Sequence, residues 1–474
     1  MSPGHYRAKL EGDRVRTVKQ WVGEMAGGLP RAFWFIWANT LINRVGSFVI
    51  IVMAIYLTQE RGFSETFAGL VIGLWGAGSA VGTLVGGVLA DRWGRKPTFL
   101  TGLYANAAII LLLGFARGGA EIAIAVFLLG LVGDMARPAM SAMMIDIVPE
   151  KDRLRAFSLN YWVINVGFAV AATTAGLVAN VDYLLLFVIN AATTVASATL
   201  IAVAVKEPVR HRLPSPALES SPGRSGRART GLVAVLGDRV FMAFMGVNVL
   251  TMLIFMQHIS TLPMAMGNDG LAPSTFGTVI ALNGILIVAG QLFVPRLLRD
   301  RSRAGTLAVA AVVLGIGFGI TAFADTALLY AVSVLVWTVG EMLSSPSNAT
   351  TNAELSPPRM RGRYQGVFSV SWSVAAFAAP IMGAAILQYV GNAALWLGCF
   401  ALSLVIAAMH LWAGPARERR ADELRAAELR ADELRAAELH RAEPADAPGA
   451  AATAGTGAAA EGERHEAPEP ALAV

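Results

Sequence analysis

The sequence predicts an all-α integral membrane protein, with twelve membrane-spanning helices arranged as two pseudo-symmetric six-helix bundles. Three observations predict it. Of 474 residues, 55% are hydrophobic and 15% charged, whereas soluble domains carry about 25% charged residues. A water-soluble chain would need a far larger core than this length makes to hide that much apolar surface. Twelve apolar runs have the roughly twenty-residue length that crosses about 30 Å of hydrocarbon, and the two halves of the chain repeat one another.

The runs lie near 33–57, 67–89, 98–116, 122–147, 157–180 and 183–204, then 240–263, 274–295, 305–323, 327–349, 364–389 and 393–412. Connections are short except 206–238, which opens KEPVRHRLPSPALESSPGRSGRART and reads as a flexible, solvated linker. Six spans precede it and six follow. The expected organisation is a cytoplasmic tail (1–32), a first bundle (33–205), the cytoplasmic linker (206–238), a second bundle (239–413) and a cytoplasmic low-complexity tail (414–474).

Basic residues orient the spans. With the N-terminus in the cytoplasm, the loops after spans 2, 4, 6, 8 and 10 hold twenty Lys and Arg, and the outer loops hold only Arg61 and Arg117. Both termini are therefore expected inside a cytoplasmic membrane. The net charge of +5 is topological, and no nucleic-acid partner is expected. The first thirty residues are basic without a continuous apolar stretch, unlike a cleaved secretory signal. One cysteine, Cys399, excludes an internal disulfide framework and a cysteine-rich metal site.

The halves align through 133–159 and 340–367. Pro138, Pro149, Arg153 and Arg155 match Pro346, Pro357, Arg361 and Arg363 at an offset of 208, and Gly133-Asp134 matches Gly340-Glu341 one gap away. Span 4 thus corresponds to span 10. Repeats with a site at their interface mark secondary transporters. Beyond 413, RADELRAAEL occurs twice (420–429 and 430–439). Its residues favour helix, but leucines every five residues walk around a helix of 3.6 residues per turn and form no stripe. The Ala/Gly/Pro/Glu-rich remainder is expected to be disordered.

Between spans 2 and 3 the chain reads GGVLADRWGRKPT, with Asp91, Arg92, Arg95 and Lys96 within six residues. An ordinary positive-inside loop would require neither Asp91 nor the glycine spacing. The pattern G-x-L-A-D-R-x-G-R-K (Gly87, Leu89, Ala90, Asp91, Arg92, Gly94, Arg95, Lys96) resembles the signature of the major facilitator superfamily. The resemblance covers about 33–412 and implies the major facilitator fold, with this loop as a cytoplasmic latch between the halves. It also implies that Asp91 faces the start of span 11 when the cavity opens outward, where a carboxylate meets unpaired N–H groups and the positive dipole end, and that Arg95 pairs with Asp146. Gly78, Gly82 and Gly86 on span 2, and Ala375, Ala379 and Gly383 on span 11, are expected to form a close seam between the halves, since small residues at four-residue spacing let helices approach.

Ionisable residues deep in a span are costly and mark function. They are Arg44 in span 1, Asp134 and Arg137 in span 4, His258 in span 7 and Glu341 in span 10. In the resembled fold, spans 1, 4, 7 and 10 line the central cavity. Asp134 and Glu341, each mid-span, are candidates to take a proton on one side and release it on the other. Asp134 and Arg137 equally read as a structural i, i+3 pair. Glu341 has no basic residue nearby on its own helix. Arg44 keeps its proton and suits a carboxylate or an anionic substrate. His258 reads as a proton relay or as a polar residue donating to a neighbour. Asn39, Asn43, Asn165, Gln257 and Asn283 add uncharged polar groups. Phe35, Trp37, Trp162, Phe255, Trp337 and Trp372 offer flat apolar walls, or simply packing.

QHISTLPMAM in span 7 and NRVGSF in span 1 look like the twelve-span drug-efflux branch. Two departures stand out. Ala125–Leu128 occupies the place of an arginine that many drug:proton antiporters carry, and Ala172 stands where their glycine–proline motif in span 5 has proline; AAPIMG (Pro380, Gly383) appears instead in span 11. The expected function is alternating-access transport of a small organic solute, foremost proton-coupled efflux of amphipathic, drug-like compounds. Uptake of a metabolite, held as an anion by Arg44 and Arg137, is the alternative, and a non-transporting sensor acting through the C-terminal tail is another. The protein is expected to act as a monomer in the bilayer on a small-molecule substrate, with the proton gradient as energy source and no cofactor. No enzymatic set of nucleophile and base is visible among the intramembrane residues.

Overall fold

In hydrocarbon a backbone N–H or C=O finds no water, so a spanning segment must satisfy its own peptide groups. The computed structural model describes residues 27–149, 152–207, 232–291, 293–298, 301–357 and 360–442, and meets that demand with helices; no strand occurs among the described residues. Among the described residues, twelve segments are long and apolar enough to cross a membrane: Arg31–Glu60, Glu65–Arg92, Arg95–Phe115, Gly119–Ile147, Arg155–Ala179, Tyr183–Ala204, Arg239–Asn268, Pro273–Gly290, Arg303–Phe323, Ala327–Glu354, Arg361–Tyr389 and Asn392–Arg430. They are numbered spans 1 to 12 in that order.

The chain divides into two units, Met1–Leu424 and Arg425–Val474. The last helix, Asn392–Ala442, contains span 12 and both RADELRAAEL copies. The first 26 residues of the expected N-terminal tail, positions 208–231 of the expected linker and the tail from 443 onward lie outside the described residues.

Spans 1 and 7 depart from the unbroken helices that their apolar runs predict. Span 1 is helical over Arg31–Val45 and again over Val49–Ile55, ending in a wider turn at Tyr56–Glu60. Side chains satisfy the groups that the break frees: the N–H groups of Phe48 and Val49 donate to Asn190 Oδ1 on span 6, at 3.0 and 3.2 Å. Span 7 breaks at Met256, between Arg239–Phe255 and Gln257–Asn268. There Gln257 Nε2 donates to the Leu253 carbonyl at 3.0 Å, and His258 Nδ1 lies 2.5 Å from the Phe255 carbonyl. Phe48 and Met256 are 208 positions apart, the offset of the internal repeat, so the break belongs to both halves.

The halves close on each other at the end remote from the charged loop. Gly69, Gly73 and Gly76 of span 2 lie against the backbone of Pro380, Phe377 and Ala376 of span 11, so tightly that a Cβ at any of the three would overlap it. The expected glycine seam is corrected here. Gly78, Gly82 and Gly86 instead face the carbonyls of Phe127, Leu131 and Met135 on span 4, inside the first half, and Gly383 makes room for Gln257 of span 7. Gly69 and Gly78 are nine residues apart, about two and a half turns, and so lie on opposite sides of the helix. At the closed end Gln388 Oε1 accepts from Thr66 N and Oγ1 (2.8 and 2.7 Å), Asn268 donates to Glu65 (2.5 Å), and Asn180 of span 5 meets Ser274 of span 8 (2.8 Å).

Close helix approach in lipid depends on dispersion contact through small residues. Gly73→Val should therefore wedge spans 2 and 11 apart and speed thiol labelling of a Gln388→Cys probe several-fold. Gly246→Val, at a glycine with open space around it, should leave the labelling unchanged. Equal labelling in all three backgrounds contradicts the seam.

Candidate functional site

On the charged-loop side of the seam the halves part around a cavity of about 830 Å³. Its first-half wall carries Ser79, Ala80, Thr83 and Leu84 of span 2 and Arg137 of span 4. The facing wall carries Asn248, Thr251 and Phe255 of span 7, Glu341, Ser344 and Asn348 of span 10, and Trp372 and Phe377 of span 11.

Of the intramembrane ionisable residues, the cavity lining includes Arg137 and Glu341. In the first half, Arg137 Nη2 lies 2.8 Å from Asp134 Oδ1, with the Arg137 side chain 54% exposed and that of Asp134 12%. Ser79 donates to the other Asp134 oxygen. Arg44 is within electrostatic reach of both Asp134 and Arg137, and Arg137 is the guanidinium that pairs with the carboxylate. Gly167 on span 5 admits the Arg44 side chain. Arg44 also sits in the last turn of the first half-helix of span 1, where the negative dipole end favours a cation.

Glu341 is held differently. Asn283 Nδ2 on span 8 donates to Glu341 Oε2 at 2.7 Å and to Thr338 Oγ1 at 3.1 Å. Thr338 spends its own hydroxyl proton on the Val334 carbonyl, at 2.6 Å, so Asn283 must present its nitrogen to Glu341. No cation pairs with Glu341 among the described residues.

Asn39, Asn43, Gln257 and His258 are not among the residues lining this cavity. Asn39 is buried, its amide nitrogen oriented to donate to the Ser197 carbonyl at 2.9 Å. Asn43 is half-buried. Gln257 donates to Ala379 O at 3.1 Å and accepts from Thr261 at 2.8 Å, which ties span 7 to span 11. His258 packs on Phe255 and Trp337, with ring centroids 4.5 and 5.5 Å away. Its Nδ1–H donates to the Phe255 carbonyl. Of the aromatic wall candidates, Phe255 and Trp372 line the cavity, whereas Trp337 is wholly buried and stacked on Phe318.

In the charged loop, Gly94 has φ +118°, a conformation that favours glycine, and turns the chain from span 2 into span 3. Arg95 Nη1 lies 2.6 Å from Asp146 Oδ2. Gly87 has open space around it, and Asp91 and Arg92 are exposed. Asp91 has no hydrogen bond or ion pair among the described residues. Two partners escaped the sequence reading. Glu207, after span 6, accepts from the N–H groups of Arg95 (3.0 Å) and Lys96 (3.1 Å), capping span 3, while Lys96 Nζ donates to the Ala202 carbonyl at 2.7 Å. In the second half Arg303 Nη2 pairs with Glu354 Oε1 at 2.7 Å. These residues stand 208 after Arg95 and Asp146, so applying the repeat offset to the loop would have found them.

The two pairs are partly exposed and should each contribute about 1 kcal/mol. Asp146→Ala and Glu354→Ala should each lower thermal stability by that order, and double-mutant cycles with Arg95→Ala and Arg303→Ala should return similar coupling energies. Coupling indistinguishable from zero at either site contradicts a structural role for that pair.

The geometry has recognisable relatives. The family model described as Major Facilitator Superfamily matches residues 36–380. The uncharacterized MFS-type transporter YttB of Bacillus subtilis (strain 168) is 25% identical, over 81% of this chain and 95% of its own. Multidrug resistance protein MdtH of Aeromonas hydrophila is 24% identical over 75% of this chain and 87% of its own. A Na(+), Li(+), K(+)/H(+) antiporter of Planococcus maritimus is 24% identical over 69% and 83%. A solved peptide transporter POT in complex with sulfate shares the fold with a TM-score of 0.69 at 17% identity, covering 83% of this chain and 96% of that one. Twelve spans in two repeated halves, matched by the family model over residues 36–380, make this chain a multi-pass membrane transporter that belongs to the Major Facilitator Superfamily.

Proposed function

We propose that this transporter exports amphipathic, drug-like compounds by alternating access, coupled to proton entry through Glu341. One observation carries the reading. Glu341 faces the cavity, held by a neutral amide, and no cation balances it among the described residues. A lone carboxylate in such a setting is costly as a charge. It can lose that cost by binding a proton or by meeting a cationic solute, and competition between the two is the logic of an antiporter. Asp134 lacks this freedom because Arg137 and Ser79 already occupy it. Phe255, Trp372 and Phe377 supply an apolar surface beside the carboxylate, as a large amphipathic ligand needs. The multidrug resistance and cation/H+ antiporter names among the relatives point the same way. The reading sets the protein in the cytoplasmic membrane, both termini inside, working as a monomer without enzymatic activity or a resident cofactor.

A second reading has its own support. Arg137 presents an exposed guanidinium to the cavity, with Arg44 nearby, which suits uptake of an anionic metabolite.

Reconstituted liposomes with an imposed pH gradient separate them. Wild type should accumulate a lipophilic cation against its gradient, and Glu341→Gln should abolish accumulation while keeping downhill exchange. Exchange of small organic anions, indifferent to the pH gradient and equal in both proteins, overturns the exporter reading in favour of the second.

A further inference from the structure

Spans 7 and 11 supply much of the second-half cavity wall, and each is interrupted partway along. Span 7 breaks at Met256. Pro380, inside span 11, brings no N–H to the Ala376 carbonyl four residues before it. Each span therefore has a limb on the charged-loop side of its interruption, Arg239–Phe255 in span 7 and 361–379 in span 11. The limbs are joined to each other. At the interruptions Gln257 Nε2 donates to the Ala379 carbonyl at 3.1 Å. Midway Asn248 meets Ser371 at 2.6 Å. Towards the charged-loop end Phe244 stacks on Phe368 and Phe241 meets Tyr364 edge-on, with centroids 6.3 and 4.5 Å apart. Cavity residues lie on both limbs, Thr251 and Phe255 on one and Trp372 and Phe377 on the other. The pair forms one leaf of the cavity wall, with Met256 and Pro380 as its bending points.

The free end of that leaf is held by the last helix, beyond the apolar run that ends near 412. Asp238, the residue before span 7, gathers three donors. Its Oδ1 accepts from the Phe241 N–H at 3.1 Å, and its Oδ2 from the Tyr364 hydroxyl at 3.0 Å and Arg420 Nη2 at 3.2 Å. One turn before Arg420, Arg417 is buried, with its guanidinium carbon 5.8 Å from the centre of the Phe244 ring, within cation–π range. Arg417 Nη2 also donates back to the His410 carbonyl at 2.6 Å, past Pro415. A helix end that merely trailed into water would not bury an arginine, since removing a guanidinium from water is costly. Nor does the repeated frame require the arrangement: at the offset of 208, Asp238 and Tyr364 correspond to Pro30 and Ala156.

We propose that this stretch of the last helix, through Arg417 and Arg420, is a strap that holds the span 7–span 11 leaf away from the first half and so favours the state whose cavity is open on the charged-loop side. The strap is closed and the cavity open in the same structure. Swinging the leaf about Met256 and Pro380 towards Leu84 and Arg137 on the facing wall would carry Asp238 and Tyr364 away from Arg420. The Arg420–Asp238 pair, 31% and 10% exposed at its two side chains, is weak enough to break in each cycle. A contact made in one state and lost in the other biases the equilibrium between them. The strap is indifferent to the charge of the solute, so it goes beyond the choice between export and uptake. It also gives a role to Arg420, the first residue of the RADELRAAEL repeat.

Thiol labelling of the full-length transporter in nanodiscs, without solute, tests it. Leu84→Cys reads the cavity from the wall opposite the leaf, and Gln388→Cys reads the closed end. Arg420→Ala should slow labelling at Leu84→Cys and speed it at Gln388→Cys, each about threefold, the order that a partly exposed ion pair supplies. Asp238→Asn, which keeps the oxygen that caps span 7, should do the same. The two substitutions together should do no more than either alone, because they remove one interaction. Glu423→Ala, which removes the 3.7 Å pair of Arg420 with Glu423 inside the last helix, should leave both rates unchanged. A contact that only stabilised the fold would, when lost, raise both rates together, and that result overturns the strap. Rates unchanged in Arg420→Ala, or additive effects of Arg420→Ala and Asp238→Asn, overturn it as well. Should Asp238→Asn fail to fold, Arg420→Ala against Glu423→Ala decides alone.

Discussion

The contacts on which this structure depends are the backbone-to-backbone approaches of spans 2 and 11 at Gly69, Gly73 and Gly76 and of spans 5 and 8 at Gly176 and Gly277. In lipid no hydrophobic force drives helices together, since the acyl chains are as apolar as leucine. Two six-helix bundles therefore hold to each other by dispersion and by a few hydrogen bonds. Here the dispersion comes from Gly69, Gly73 and Gly76 against Ala376, Phe377 and Pro380 and from Gly176 and Gly277 against the backbone of Pro273 and Ala172, and the hydrogen bonds from Gln388, Asn268 and Asn180. These bonds join mostly neutral groups at the closed end. Concentrating the attachment there leaves the other end of spans 2 and 11 free to line a cavity. The opposite glycine row, Gly78, Gly82 and Gly86, binds span 2 to span 4 and makes span 2 move with its own half.

Beneath this the chain uses one frame twice and gives it two chemistries. The breaks at Phe48 and Met256 and the ion pairs Arg95–Asp146 and Arg303–Glu354 all repeat at the same offset. They are scaffold. What differs is what the scaffold presents. The first half offers a carboxylate paired with Arg137; the second offers Glu341 beside a neutral amide, with Asn348 where the first half has Met140 and Asn248 where it has Thr40. The chemical asymmetry of the two cavity walls lies in those substitutions.

Much of the fold was legible because membrane solvation writes directly on sequence. Twelve apolar runs and the 208-residue offset are one-dimensional signals, and the helices follow them closely. Facing directions are not one-dimensional. Four-residue spacing marks Gly78, Gly82 and Gly86 as a packing face but does not name the neighbour, and the row half a turn away proved to be the one that meets span 11. The breaks in spans 1 and 7 escaped because distant or inconspicuous side chains satisfy them: Asn190 lies five spans on, and Gln257 and His258 look from sequence like pathway residues before their carbonyl partners are known. Glu207 was hidden for a similar reason, sitting at the edge of the loop between the halves while capping span 3. Of the cavity wall, Arg137 and Glu341 were legible from the cost of charge in a span, whereas Asn248 and Asn348 carry no charge and only the structure puts them there.

On the proposed exporter reading, Glu341 protonation biases the closure of one end against the other about the span 2–span 11 contact. Electron spin-resonance distances in nanodiscs test it most directly, with one label pair at Thr66 and Gln388 and another at Leu84 and Val370. Acidification of the wild type, or Glu341→Gln at neutral pH, should move the two distance distributions in opposite directions, and Glu341→Gln should no longer respond to pH. Distributions that stay fixed under both changes, or that shift with pH in Glu341→Gln as they do in wild type, contradict it.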